Sequence, residues 1–160
     1  MRRFTCDFET TTDENDCRVW AYALFQIGSK DNFLYGNSID DLMEWCKNQK
    51  DNVDLYFHNL KFDGCFICYW LETNGFKWVE KQDECVTNTY TTLITDMGAW
   101  YSIEIYFNVN GHHTNKVRIF DSLKLLNFSV ADIAKGFGLP ISKLELDYDT
   151  YRAPGHKLTP

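Results

Sequence analysis

Positive charge is scarce in this sequence. Lysine and arginine together number 16 against 23 acidic residues, so the formal net charge is −7. Proteins that bind nucleic acid mainly through bulk electrostatics normally present a basic patch, so this balance argues against that mode of binding. A cleft that holds nucleic acid through metal ions and aromatic stacking remains compatible with it. If DNA is the substrate, we expect the basic surface to belong to another part of the machinery.

Long hydrophobic runs are also missing. No stretch approaches the roughly 20 apolar residues of a membrane span, and the N-terminal segment MRRFTCDFET lacks the apolar centre of a signal peptide. The apolar share of 44% and the aromatic share of 16% are too high for a disordered chain. We therefore expect residues 1–160 to form a single soluble, intracellular domain with one well-filled core and no membrane partner.

A second pair of closely spaced cysteines is absent as well. Cys65 and Cys68 form one C-x-x-C pair, whereas a zinc site built from cysteines needs another. Six cysteines in a chain without an export signal favour packed, reduced thiols over disulfides. A thiol or zinc protein built on this pair is the weaker alternative.

Hydrophobic periodicity predicts a mixed α/β chain. Strands are predicted at RRFTCDFE, CRVWAYALFQI, NFLYG, VDLYF, NTYTTLIT, AWYSIEIYFNV and KVRIFDS. Helices are predicted at SIDDLMEWCKNQK with Ser38 as N-cap, at NLKFDGCFICYWLETNG with Asn59 as N-cap and Gly75 as the stop, and at SVADIAKGFG with a capping box. The apolar stripe of the second helix is read as Phe62, Cys65, Phe66, Tyr69 and Trp70. The pattern predicts a mixed sheet covered by helices.

Two carboxylates lie on one face of the first predicted strand. In CDFETTT, Asp7 and Glu9 point the same way because side chains alternate along a strand. A third acid, Asp63, falls in the first turn of the helix that follows the buried strand VDLYF. The structural alternatives are that Asp7 and Glu9 are solvated acids on an exposed strand face and that Asp63 only complements the helix dipole. If the three acids converge, they form a cluster of hard oxygen ligands suited to Mg²⁺ or Mn²⁺.

Four segments carry a resemblance to a known family. CDFETTT, YFHNLKFDG, FDSLK and PISKLELDY occur in the order and at spacings similar to those of the protein-primed family B DNA polymerases of small tailed bacteriophages. The likeness runs along all 160 residues and covers the 3′–5′ exonuclease part of such polymerases. It implies a ribonuclease H-like fold of the DnaQ exonuclease type and a proofreading function in the cytoplasm of an infected bacterial cell.

The resemblance also implies roles for individual residues. Asp7, Glu9 and Asp63 would hold the two metal ions, and Lys143 would assist the hydrolysis. The other matched positions would bind or position the single-stranded 3′ end: Thr10, Tyr56, His58, Asn59, Phe62, Phe66, Ser122, Leu123 and Tyr148. Ser122 and Leu123 match positions that also contact the priming terminal protein. The remainder of the polymerase chain is the third implied partner.

A third exonuclease motif of the family is not among these residues. It consists of a Tyr and an Asp four residues apart on a helix, which the resemblance places shortly after residue 160. Thr159 followed by Pro160 is typical of a helix start, so we expect the chain to stop before its last catalytic helix. Two hypotheses follow: a metal-dependent exonuclease, or a weakly active or inactive fragment that binds single-stranded DNA or the terminal protein.

Overall fold

A computed structural model describes residues 1–111 and 113–140. Within them, the strands are β1 (Arg2–Thr10), β2 (Val19–Gln26), β3 (Phe33–Gly36), β4 (Val53–Phe57), β5 (Lys77–Trp78), β6 (Thr89–Ile94), β7 (Trp100–Asn110) and β8 (His113–Asp121). The α-helices are α1 (Ile39–Lys47), α2 (Leu60–Thr73) and α3 (Val130–Gly136), and 3₁₀ turns occupy Gln82–Glu84 and Ser122–Lys124. The mixed α/β class predicted from the sequence is confirmed.

The strands form one mixed sheet in the order β3-β2-β1-β4-β8-β7-β6-β5. Strands β1, β4 and β8 are parallel neighbours, with Thr5 paired to Tyr56 and Phe57 paired to Asp121. The flanking pairs β1–β2, β2–β3, β6–β7 and β7–β8 are antiparallel. Because parallel strands end at the same edge of a sheet, the residues that follow β1, β4 and β8 are brought together.

Helix α1 packs against the sheet as its sequence predicts. The Ser38 hydroxyl accepts a hydrogen bond from the Asp41 N–H and so satisfies one of the free donors of the first turn. Leu42, Met43 and Cys46 lie on the buried face of the helix. They join a core built from the inward side chains of the sheet, among them Phe4, Leu24, Leu55, Ile105 and Ile119.

The face that helix α2 turns to the core differs in part from the one predicted. Its buried residues are Leu60, Asp63, Gly64, Ile67 and Leu71. Most of the predicted apolar stripe faces outward: Phe62 and Tyr69 are 54% and 71% exposed. The helix carries apolar residues on both faces, so its periodicity alone did not identify the buried one.

A glycine lets α2 approach the sheet closely. A Cβ on Gly64 would lie 2.7 Å from Cζ3 of Trp100, a ring at the start of β7. Real Cβ atoms do not come so close to a neighbour, so a side chain at position 64 would require the Trp100 ring to move. The helix ends at Thr73, and Gly75, two residues later with a φ of +81°, is the left-handed stop that the sequence predicts.

The six cysteines, all within the part of the chain that the structure describes, form no disulfide bonds. All six cysteines are free thiols; Cys6 and Cys46 are buried, whereas Cys17 and Cys65 are exposed. The Cys65 thiol donates to the carbonyl of Lys61 within the same helix. Among the residues that the structure describes, no helix is both long and apolar enough to span a bilayer.

Candidate nuclease and single-strand site

The candidate site lies where β1, β4 and β8 end. Strand β1 contributes Asp7 and Glu9, β4 leads through His58 and Asn59 into α2, and β8 ends at Asp121. All three strands run in the same direction. This edge is where open α/β sheets usually build their sites, because the connecting loops there are not needed to hold the sheet together.

The alternation predicted for β1 is observed. Phe4, Cys6 and Phe8 are buried, whereas Thr5 and Asp7 are exposed and Glu9 is half-buried. The pairing of β1 with β2 shifts register between Glu9 and Thr10. Such irregularities change the direction of the side chains that follow, and here the change falls beside the two acids.

Asp63 is the most perturbed carboxyl of the site. It lies in the first turn of α2 and is 4% exposed. Burial raises its pKa from 3.8 to about 7, and the nearby charges of Asp7, Glu9 and Asp121 add to the rise. A buried acid crowded by other carboxylates is an arrangement that a divalent cation relieves, since the cation offsets both the repulsion and the loss of hydration.

The donor chemistry of these acids fits a hard divalent cation, but the side chains do not form a closed cage. Within residues 1–111 and 113–140, no group of three or more His, Cys, Asp or Glu side chains is arranged so that it could hold a metal ion. Mg²⁺ commonly binds through one or two carboxylates together with substrate phosphates. A cation at this edge would therefore need ligands beyond the side chains of Asp7, Glu9 and Asp63, such as the phosphate of a substrate.

Asn59 precedes α2 in an unusual conformation. Its φ of +74° and ψ of +58° are left-handed, and its side chain makes no capping hydrogen bond. The sequence prediction of Asn59 at the N-cap position is confirmed, but the helix start is not stabilised by its amide. Instead, the Asn59 N–H donates to Oδ1 of Asp121 at 3.0 Å. Left-handed backbone at a residue other than glycine costs about 1–3 kcal/mol and is concentrated at functional sites.

Asp121 is a functional candidate that the sequence reasoning missed. It is 4% exposed, and the same Oδ1 atom also accepts from the N–H of Leu123 at 3.0 Å. Its other oxygen lies 3.6 Å from Nζ of Lys124. One carboxylate thus joins the loop after β4 to the turn after β8. The available signal was its position as the last residue of a strand beside β4.

His58 and Ser122 connect the same two loops. Nε2 of His58 donates to the carbonyl oxygen of Phe128 at 2.8 Å, and Nδ1 lies 3.1 Å from Oγ of Ser122. The Ser122 hydroxyl donates to the carbonyl of Phe57 at 3.0 Å. Because both ring nitrogens of His58 contact protein groups, this histidine is placed to hold the loop after β8 in position.

Aromatic side chains border the acids on two sides. The rings of Phe62 and Phe66 meet edge to face with centroids 5.6 Å apart; Phe62 is exposed, whereas Phe66 is half-buried and packs against the core. Tyr56 is half-buried and stacks on Phe120 with centroids 5.5 Å apart. A groove of about 930 Å³ runs past Asp7, Tyr56, His58 and Ser122 towards Phe25 and Phe33 on β2 and β3.

The predicted site residues divide into three groups. Those at the shared strand edge are Asp7, Glu9, Thr10, Tyr56, His58, Asn59, Asp63, Ser122 and Leu123. Phe62 and Phe66 lie on the first two turns of α2. Lys143 and Tyr148 lie outside the described residues, and their roles remain predictions from the resemblance.

Comparison with known proteins identifies similar chains. The model of the family described as DNA polymerase type B, organellar and viral, matches residues 45–159. The DNA polymerase of Bacillus phage Nf is 52% identical over 159 residues, which make up 99% of this chain and 27% of that protein. The DNA polymerase of Bacillus phage phi29 is 48% identical over the same shares. This chain therefore spans about a quarter of the length of these curated relatives.

Solved structures agree with the sequence comparison. Phi29 DNA polymerase complexed with single-stranded DNA superposes with a TM-score of 0.89 at 46% identity, over 99% of this chain and 27% of that one. The same polymerase complexed with primer-template DNA superposes with a TM-score of 0.88. A ribonuclease H-like exonuclease fold, as the resemblance implies, is consistent with this similarity.

Proposed function

Because the chain belongs to the family of type B DNA polymerases of organelles and viruses, we propose that it forms the proofreading 3′–5′ exonuclease domain of a protein-primed phage DNA polymerase. Its substrate is the 3′ end of single-stranded DNA, and the reaction hydrolyses the terminal phosphodiester. The observation that carries the proposal is the position of Asp63, an acid buried in the first turn of α2 directly after β4, the parallel neighbour of the strand that carries Asp7 and Glu9. Burial and the charges of those two acids raise the pKa of Asp63 to about 7, which supports their proximity.

In this proposal Asp7, Glu9 and Asp63 hold Mg²⁺ or Mn²⁺ together with the scissile phosphate. When bound, a pair of such ions activates water and stabilises the leaving oxygen. Asp63 must lose its proton to act as a ligand, so its raised pKa links metal binding to pH. Lys143 would offset negative charge on the phosphate, as the resemblance implies.

The remaining residues would hold the DNA. Phe62, 54% exposed beside Asp63, is free to stack on a terminal base, a contact that tolerates any sequence. The Asn59 side chain is not used in capping and is exposed next to the acids. A mispaired end unpairs more easily than a matched one, so a site that accepts only single strands selects errors without reading bases. Thr10, Tyr56, Phe66, Leu123 and Tyr148 would support the same strand.

His58 and Ser122 would act mainly on the protein in this scheme. Their hydrogen bonds to the carbonyls of Phe128 and Phe57 hold the loop after β8. A priming terminal protein would contact Ser122 and Leu123 in the longer polymerase, in the cytoplasm of the infected bacterial cell. Polymerisation would belong to the remainder of that chain.

A second function is favoured by one observation. The absence of a closed three-ligand arrangement among the described residues is compatible with a module that binds single-stranded DNA or the terminal protein with little or no hydrolysis. The two functions share the fold and the aromatic contacts, and they differ in whether the acids support metal-dependent cleavage.

Digestion of labelled DNA separates them. We expect the 160-residue chain with Mn²⁺ to shorten 5′-labelled single-stranded DNA from its 3′ end, although very weakly. Asp7→Ala should remove this activity. Asp96→Ala, which alters an exposed acid in the turn between β6 and β7, should leave it unchanged and serves as the matched control. DNA binding without any metal-dependent shortening by the unaltered chain would favour the binding module instead.

A further inference from the structure

Tyr69 continues the aromatic stripe of α2 beyond the proposed site. Phe62, Phe66 and Tyr69 are spaced by four and three residues, so they lie on one face of the helix. Phe62 and Phe66 are in ring contact. Tyr69 is 71% exposed, the most exposed aromatic ring of this helix. The three residues are called the α2 stripe below.

Tyr69, at the far end of the α2 stripe, contributes little to the stability of the fold. The opposite face already fills the core with Leu60, Ile67 and Leu71, each fully buried. A tyrosine that remains mostly exposed gains little from burial, so packing does not explain an aromatic ring at position 69. Exposed apolar surface that is continuous with a site usually belongs to an interaction surface.

We propose that Tyr69 extends the single-strand site, with the α2 stripe as a stacking track for successive bases upstream of the 3′ end. This inference rests on the proposed function and adds a contact that lies away from the acids. Phe62 and Tyr69 are separated by about 10 Å along the helix axis at 1.5 Å per residue. That length equals about three base-to-base steps of roughly 3.4 Å, so the base that reaches Tyr69 is the fourth from the 3′ end, and a three-nucleotide strand is too short to reach it.

A nucleic acid strand suits this surface for two reasons. The stripe begins beside Asp63, so it is continuous with the position at which the terminal phosphate would be held. Lys61, in the turn of α2 that carries Phe62, is exposed and can attract the phosphates of a strand, whereas the Glu72 side chain accepts from the Tyr90 hydroxyl at 3.0 Å and is so held towards β6. Stacking on aromatic rings contributes about 1–3 kcal/mol per base and does not depend on sequence.

Binding of oligothymidylates of increasing length tests this extension. The probes are 5′-fluorescein strands of three, six and nine nucleotides with phosphorothioate linkages that resist cleavage, followed by fluorescence anisotropy in Mg²⁺. Tyr69→Ala should lower affinity for the longer two strands by about 5- to 150-fold and leave the three-nucleotide strand unaffected. Tyr69→Trp should restore binding, since indole also stacks.

Two further variants make the result interpretable. Trp78→Ala removes an exposed aromatic ring from β5 at the far edge of the sheet and should not change affinity. Phe62→Ala should weaken binding at every length. If Phe62→Ala weakens binding and Tyr69→Ala does not, the extension is wrong and the proposed function stands. If the unaltered chain binds none of the strands, both proposals fail.

Discussion

The two faces of α2 show how one helix serves stability and binding separately. The inner face carries Leu60, Ile67 and Leu71, which are fully buried. The outer face carries Phe62 and Tyr69, which are mostly exposed although they are equally apolar. Apolar character alone therefore does not identify the residues that hold this protein together. Asp63 lies at the boundary between the two faces: it is buried like the core residues but carries an ionisable group.

The largest expected effect on stability is on the inner face. Leu71→Ala removes a fully buried side chain, so we expect the free energy of unfolding to fall by about 2–5 kcal/mol. Urea unfolding followed by circular dichroism measures it. Tyr69→Ala on the outer face should change this free energy by no more than about 0.5 kcal/mol. Equal losses for the two variants would remove the distinction between the faces.

Ionisation of Asp63, at the boundary between the two faces of α2, should make the free energy of unfolding depend on pH. The pKa of Asp63 is raised to about 7 in the folded protein, so the folded state retains a proton that the unfolded state releases near pH 4. Stability linked to this group is therefore present below about pH 4 and is lost as pH rises to about 7. We therefore expect the change in unfolding free energy caused by Asp63→Asn to differ between pH 4 and pH 8. It should be more stabilising at pH 8 than at pH 4 by about 2–4 kcal/mol.

The measurement is urea unfolding at both pH values in the presence of a chelator, which keeps divalent cations from masking the charge. Asp96→Asn, at an exposed position, should behave the same at pH 4 and pH 8. A pH-independent effect of Asp63→Asn would show that the crowding of carboxylates around Asp63 is not energetically important.

Substitution of Phe62, at the start of the outer face, is also expected to have a small effect on stability. Because Phe62 is 54% exposed, Phe62→Ala should cost at most about 1 kcal/mol of unfolding free energy. If the proposed function is correct, the same change should lower affinity for single-stranded DNA by about 5- to 150-fold. Thermal melting measures the loss of stability, and fluorescence anisotropy of the same preparation measures the loss of affinity for DNA. A large loss of stability with normal DNA affinity would reassign Phe62 to the core.

Local patterns of the sequence were sufficient for most elements. The alternation in β1 and the Ser38 cap of α1 depend on neighbouring residues only, so both were predicted correctly. The Gly75 stop was predicted for the same reason. The buried face of α2 was predicted only in part: Phe66 and Trp70 pack against the core, whereas Phe62 and Tyr69 of the same predicted stripe are exposed. The helix is apolar on both sides, and only contact with the sheet decides which side is covered.

The residues of the candidate site could be predicted only where they belong to a recognisable sequence motif. The resemblance supplied Asp7, Glu9 and Asp63 as candidates, but it did not supply Asp121. That residue matters because β4 and β8 are parallel neighbours, a pairing that no local pattern encodes. The left-handed backbone of Asn59 was also not predicted, since asparagine at a helix start usually caps with its side chain.

The close approach between Gly64 and Trp100 has a consequence for how this sequence can vary. The helix and the strand share a single space that the indole ring already fills. A methyl group at position 64 would require the Trp100 ring to shift or to be replaced by a smaller side chain, so substitutions at these two sites are coupled. A redesign of α2 that replaces Gly64 to raise its helix propensity therefore has to make room at Trp100 on β7 as well.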